Sequence, residues 1–483
     1  MSKNRIYNIV YTLILSLIFF TGILLRTITY LYNRSLWQDE ASLSLSIIYN
    51  VNFFKPLLHN QFAPQFFMYI TKLNAMIFGN SEWVLRLVPF VFGILSIFLF
   101  YFLSKEFLEK KVSIILANVL FAINYHIIYY CQEFKQYSTD VFFFMLVLLI
   151  FSKIDIRKIT LKTYILTSLI MLCSTMISLP ILFVIAGWFV MNILKYKLAI
   201  IKNILLYIPV FIIFVLYTMF FLLTAKMNVD AANIHFWDKG YLNFNILSIL
   251  SMIKDCYNYC FEPNTYVLII FICSCIGWYF IIKNSKFKSI YFLTFLSFCF
   301  VILASYLKLY PLENRAGLFF TPIVILTLIM PVDKLKNIYL VLFLLIISLS
   351  SYNFGYIKSF FNSNVFVYKN ARKITKILKE KYEIGDTLIY NATSMSGYEY
   401  YANQLKLDIK DCVILQFSNV SNEENTAILN ESLSYLKPDK YYIFYVVYDL
   451  SKPTLPLIKE WLKNKNKLWE YEVNGSYIAK IKI

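Results

Sequence analysis

The chain has 483 residues, of which 59% are hydrophobic, 19% aromatic and only 15% charged. Since a soluble domain carries about 25% charged residues, this composition excludes a protein that is soluble over its full length, and it also excludes a disordered chain. The net charge of +18 comes mostly from short Lys and Arg clusters between apolar stretches. Such clusters are typical of cytoplasmic loops, so we expect no nucleic-acid partner.

Eleven apolar stretches are candidates for helices that cross the hydrocarbon core, which is about 30 Å thick. They lie near residues 8–28, 87–104, 112–130, 138–152, 163–179, 181–194, 203–224, 266–282, 289–307, 316–331 and 337–353. The first stretch follows Lys3 and Arg5, as in a signal peptide. It is too long for one and no small-residue cleavage site follows it, so we interpret it as a retained anchor.

The uncharged segment between Lys162 and Lys195 decides the topology. Its 32 residues would form a single helix of about 48 Å, well beyond the core. Two short or broken helices split near Pro180 keep the later Lys clusters on the inner side, as the positive-inside rule requires. Eleven spans with an inner N-terminus place the C-terminal segment outside the cytoplasm.

The character of the sequence changes near residue 356. An amphipathic stretch over 368–382 precedes strand-like segments at 387–390, 412–417 and 441–448, and helix-like segments lie at 423–436 and 455–463. Strands that alternate with helices predict a small α/β domain with a largely parallel sheet. The predicted fold is therefore mostly α, with a polytopic transmembrane helical bundle over 1–355 and an extracytoplasmic α/β domain over 356–483.

The long first outer loop, residues 29–86, contains two adjacent carboxylates, Asp39 and Glu40, which Gln38 separates from Trp37. Carboxylates beside a Trp at the bilayer surface suit a general base at the water–lipid boundary. The alternative is structural, because Asp39 could act as the N-cap of a helix over 40–49. The same loop carries His59.

Cations from distant parts of the chain fall on the same predicted face. Glu133, Lys135 and Tyr137 follow the third apolar stretch, and Arg315 precedes the tenth. Each cation taken alone could be an ordinary snorkelling anchor. Carboxylates and cations arriving together on one face favour a site that handles a lipid phosphate.

Metal and redox chemistry have weaker support. The three histidines, His59, His126 and His235, are all predicted outside with no metal-site spacing. Cys256 and Cys260 could form a disulfide or remain free. No predicted span carries a charge at its middle, which argues against an ion-coupled transporter.

Four segments resemble the bacterial glycosyltransferase family 39-like membrane proteins of the GT-C superfamily, which includes protein O-mannosyltransferases and lipid A aminoarabinose transferases. The resemblance covers roughly 1–355 in order. Its most specific part is the Asp-Glu pair of the first outer loop. The segments are Trp37–Ala41, Ala63–Tyr69, Gly79–Arg86 and Gln132–Tyr137.

The resemblance implies an inverting transferase that uses a polyprenyl-phosphate sugar. By it, Asp39 is the catalytic carboxylate with Glu40 beside it, and the segment with Lys135 and also Arg315 contact the donor phosphate. As our own hypothesis, Arg86 is a third cation for that phosphate. Lys135 stands where many relatives carry Arg, which keeps the charge but loses the bidentate fork. Glu133, Tyr137 and His59 are further candidates.

A single phosphate can be held by Lys and Arg, so we expect no cofactor and no metal requirement, although a divalent cation stays open. The partners would be the donor, membrane lipids and a lipid, glycan or protein acceptor in the cell envelope. Two alternatives share these features. A non-enzymatic lipid or polysaccharide flippase would have polar residues at mid-depth, and a polysaccharide polymerase or ligase would have more outer arginines.

Overall fold

A computed structural model describes residues 3–49, 52, 57–197, 203–219 (except 204, 206, 214 and 218), 240–245 (except 244), 267–286, 288–312, 314–334, 370–416, 422–447 and 454–483. The chain divides into two compact units. The first, here called the helical unit, comprises Met1–Tyr32, Phe53–Pro56 and Phe62–Lys358. The second, the mixed unit, comprises Asn33–Asn52, Leu57–Gln61 and Ser359–Ile483. The predicted span 337–353, His235, Cys256, Cys260 and the boundary at 355/356 lie outside the described residues.

Within the described residues, helices occupy the predicted apolar stretches of the helical unit. Their bounds are α1 Lys3–Leu31, α3 Gln65–Phe78, α4 Glu82–Leu85, α5 Leu87–Phe107, α6 Lys111–Ala122, α7 Tyr125–Tyr130, α8 Tyr137–Lys153, α9 Leu161–Thr175, α10 Ile181–Tyr196, α11 Val267–Asn284, α12 Ser289–Tyr306 and α13 Thr321–Lys334. Helix α2, Gln38–Ile48, belongs to the mixed unit. The prediction of two short helices around Pro180 is confirmed by α9 and α10. The predicted stretch 112–130 is broken instead, because Asn124 caps α7 by accepting the Ile127 N–H at 3.0 Å.

Within the part of the chain that the structure describes, four apolar segments are long enough to cross a membrane by length and composition. They are Asn4–Leu31, Leu87–Phe107, Ser289–Tyr306 and Arg315–Lys334. Most of the other apolar helices of the described chain are shorter, so the number of crossings stays a prediction.

Close backbone approach joins α11 to α13 in the helical unit. A Cβ placed on Gly277 of α11 would lie 2.0 Å from the carbonyl oxygen of Thr327 in α13. Small residues allow helices in membranes to pack this closely. The close packing of α11 on α13 therefore requires a residue without a side chain at position 277.

We expect Gly277→Ala to destabilise the helical unit by about 1–3 kcal/mol, because the methyl group forces the two backbones apart. The measurement is the melting temperature of the detergent-solubilised full chain. Gly317→Ala is the control, since its Cβ would meet its nearest atom at 3.7 Å. Equal melting temperatures for the two variants would contradict the expectation.

The mixed unit contains a five-stranded sheet in the order β2-β1-β3-β5-β4. The predicted strands are confirmed as β1 Thr387–Asn391, β2 Cys412–Leu415 and β3 Tyr441–Val446, and these pair in parallel. Helices α14 Ala371–Lys381, α15 Met395–Leu405, α16 Asn422–Ser434 and α17 Thr454–Leu462 flank or separate the strands.

The prediction of a largely parallel sheet missed an antiparallel hairpin. Strands β4 Asn466–Val473 and β5 Ser476–Lys482 pair with each other, and β5 pairs antiparallel with β3. Their connection is Asn474-Gly475, with φ of 50° and 70°. Asn-Gly is the preferred dipeptide for a type I′ hairpin turn, so the sequence did contain a local signal for this hairpin.

Candidate active site

Helix α2, Gln38–Ile48, carries the acidic pair and belongs to the mixed unit. Its N-cap is Trp37, and the Glu40 carboxylate accepts the Trp37 N–H at 3.4 Å. Asp39 is therefore the second helical residue, and the interpretation of Asp39 as the N-cap is wrong. The positive end of the helix dipole still favours both carboxylates there.

The two carboxylates have different surroundings. Glu40 is fully buried and pairs with Arg34, at 3.1 Å between Oε2 and Nη1, with only 4% of the Arg34 side chain exposed. Asp39, in contrast, is half-buried. Glu40 is consequently a fixed member of a buried ion pair, whereas Asp39 is the carboxylate of the two that solvent reaches.

The segment before α2 is bonded to helices far along the chain. Leu36 donates its N–H to Tyr401 Oη of α15 at 2.8 Å, and the Ser35 hydroxyl lies 3.1 Å from the same oxygen. Arg372 of α14 donates to the Asn33 carbonyl at 2.8 Å. These contacts hold the entry to α2 against the α/β part of the mixed unit. The sequence analysis missed Tyr401 and Arg372, because no local pattern links residues so far apart.

We expect Tyr401→Phe to lower stability by about 1–3 kcal/mol, since it removes an acceptor from the buried Leu36 N–H. It should also lower any activity that depends on the position of Asp39. Melting temperature and protease cleavage within 33–37 measure the effect. Tyr435→Phe is the matched control, because Tyr435 is 78% exposed in the same unit. Unchanged protection of 33–37 in Tyr401→Phe would argue against this anchor.

His59 lies in the mixed unit, and its own backbone has a positive φ of 52°. Its Nε2 lies 3.3 Å from Glu399 Oε2, and both side chains are about one-quarter exposed. This contact positions His59 beside a carboxylate of α15. Among the described residues, no group of three or more His, Cys, Asp or Glu side chains is arranged to hold a metal ion.

Two of the three predicted cations of the helical unit are more buried than snorkelling would leave them. Arg86 is 1% exposed and Lys135 is 4% exposed. A snorkelling side chain keeps its charged end in water, so simple anchoring does not describe these two residues. Glu133 is equally buried, at 1%, which places three ionisable side chains inside the helical unit.

Other members of the Gln132–Tyr137 segment are positioned by aromatic contacts. Phe134 stacks on Phe67 of α3 at 5.7 Å between ring centroids. The Arg315 guanidinium lies over the Tyr137 ring at 5.7 Å. The structure therefore brings together two predicted residues, Tyr137 and Arg315, that are distant in sequence.

The sequence analysis missed Asp140, which is in the first turn of α8 and only 5% exposed. Within the described residues, its Oδ1 has no hydrogen-bond partner. A buried carboxylate in an apolar helix is costly and is usually functional. The available signal was one acidic residue at the start of an otherwise apolar stretch.

No protein-family model and no curated protein matches the sequence. Among solved structures, the chain is similar to ArnT from Cupriavidus metallidurans in the apo state, with 11% identity and a TM-score of 0.52 over 99% of this chain and 98% of that one. This chain has the ArnT fold. ArnT bound to undecaprenyl phosphate matches equally, with 9% identity and a TM-score of 0.52 over 98% of this chain and 97% of that one. This match confirms the predicted resemblance at the level of fold, and the apolar helices indicate a membrane protein.

Proposed function

We propose that the protein transfers a monosaccharide from a polyprenyl-phosphate donor to a hydroxyl of an extracytoplasmic lipid, glycan or protein, with inversion at the anomeric carbon. The main support is the ArnT fold over 99% of the chain, since the ArnT of that fold binds undecaprenyl phosphate. The proposal includes a multi-pass topology in the cell membrane with the α/β part outside the cytoplasm.

Asp39 is the proposed general base. It removes the proton from the acceptor hydroxyl while that oxygen forms a bond to the anomeric carbon. Its partial exposure supports this role. Glu40 positions α2 through its ion pair with Arg34 and does not take the proton.

Lys135, Arg315 and Arg86 are proposed to bind the donor phosphate. As the bond between the anomeric carbon and the phosphate oxygen breaks, the electron pair stays on the phosphate and polyprenyl phosphate leaves. Fixed cations in a poorly solvated site stabilise that charge strongly, and the burial of Lys135 and Arg86 supports such a role. Because these side chains can balance a single phosphate, we propose that transfer needs no metal, which activity in EDTA would test.

The test compares glycan and lipid mass spectra of a strain that lacks the gene with those of its parent. We expect the loss of one hexose, pentose or amino sugar from an envelope product and accumulation of the polyprenyl-phosphate sugar. Unchanged spectra would contradict the proposal. Flipping of lipid-linked sugar in vesicles with no transfer to any acceptor would favour a flippase instead.

A further inference from the structure

A basic cavity of about 400 Å³ opens at one end of the helical unit. It lies where α11 and α13 end and α12 begins, beside the loop that follows α5. Three lysines, Lys283, Lys288 and Lys334, line it together with Glu109. Each of these apolar helices changes to charged residues at this level, so the cavity lies at the boundary between hydrocarbon and water.

The charges of the cavity do not cancel. Glu109 Oε1 lies 2.7 Å from Lys334 Nζ and 3.9 Å from Lys288 Nζ. Asp333 accepts the backbone N–H groups of Glu109 at 3.0 Å and of Lys110 at 2.8 Å, and its Oδ2 also lies 3.4 Å from Lys334 Nζ. Among the described residues, Lys283 has no carboxylate partner. Three lysines against the two carboxylates of Glu109 and Asp333 therefore leave a net charge of about +1 at the cavity.

The helix that supplies Lys283 also presents an apolar surface. Ile272, Ile276 and Tyr279 of α11 are 49%, 37% and 56% exposed. With Lys283 they are spaced at i, i+4, i+7 and i+11, which places all four on one face of the helix. This face therefore carries a cation at its polar end and an apolar stripe along the remainder. Phe280 and Tyr291 add apolar walls to the cavity.

We propose that this cavity binds the phosphate-bearing headgroup of an anionic phospholipid, with an acyl chain along the α11 stripe. Basic pockets between membrane helices recognise such headgroups. A soluble phosphate compound shares the headgroup chemistry but has no use for the stripe, so the stripe favours the lipid. The site is independent of the proposed transfer and of Asp39.

The test is native mass spectrometry of the detergent-solubilised full chain with phosphatidylglycerol or phosphatidylcholine of identical acyl chains. Wild type is expected to retain phosphatidylglycerol preferentially. Lys283→Gln/Lys288→Gln should weaken that binding by about fivefold for each lysine removed. The control is Lys158→Gln/Lys162→Gln, which removes the same charge from exposed positions outside the cavity.

Glu109→Gln provides a change in the opposite direction. The hydrogen bond from Lys334 lowers the pKa of Glu109, so the carboxylate is charged at neutral pH and its removal should strengthen phosphatidylglycerol binding. Poor folding would not strengthen binding. This variant therefore distinguishes an effect of charge in the cavity from an effect of misfolding. The proposal is overturned by equal retention of both lipids, by equal losses in the two lysine pairs, or by displacement of all bound lipid by glycerol phosphate alone.

Discussion

Asp39→Asn is expected to lower sugar transfer by about 10²–10⁴-fold, because the amide cannot take the proton from the acceptor hydroxyl. The substitution preserves the shape of the side chain, and Asp39 is only half-buried, so the melting temperature should stay close to that of wild type. Retention of the polyprenyl-phosphate donor should also persist, since the phosphate is assigned to Lys135, Arg315 and Arg86. Transfer is measured as release of polyprenyl phosphate from a supplied donor in membranes.

Asp408→Asn is the matched control for Asp39→Asn. It removes one carboxylate from an exposed position of the same unit, and we expect it to transfer sugar at the wild-type rate. If Asp39→Asn membranes also transferred at that rate, Asp39 would not be the base. The proposed transferase activity would then need a different catalytic residue.

Breaking the ion pair between Arg34 and Glu40 is expected to cost about 3–5 kcal/mol of stability, because either single substitution leaves a buried charge without its partner. Both side chains are almost completely buried at a separation of 3.1 Å. Arg34→Met and Glu40→Leu should therefore each lower the melting temperature strongly. The double variant should lose much less than the sum, since it leaves neither charge behind.

An exposed pair of the same unit provides the comparison. Lys459 and Glu472 lie 2.6 Å apart, but their side chains are 37% and 50% exposed. Glu472→Gln should therefore cost less than about 1 kcal/mol. Similar melting shifts for Glu40→Leu and Glu472→Gln, or additive losses in the double variant, would refute a large contribution from the buried pair.

Periodic and compositional signals in the sequence were sufficient for most helices. Apolar stretches of membrane length predicted α1, α5 and α12, because the hydrocarbon core demands about 20 apolar residues. Alternating strand and helix patterns likewise predicted β1, β2 and β3. The hairpin after α17 was missed although its Asn474-Gly475 turn is a strong local signal.

The candidate site was only partly accessible to sequence reasoning. The Asp-Glu pair and the Gln132–Tyr137 segment stood out because charged residues at a membrane boundary are unusual. Their environments were not visible in the sequence. The burial of Lys135 and the position of Arg315 over Tyr137 depend on residues from separate helices, so the sequence could assign both cations to a phosphate without showing where either lies.

The sequence by itself determined that this is a mostly helical chain with apolar stretches of membrane-spanning length, an acidic pair near its start and an α/β segment near its end. Those features follow from composition and local periodicity. Only the tertiary structure decided that Glu40 is held by Arg34 and that Leu36 bonds to Tyr401, 365 residues away. Such pairings depend on how distant segments pack, because burial and hydrogen-bond geometry have no local sequence signature.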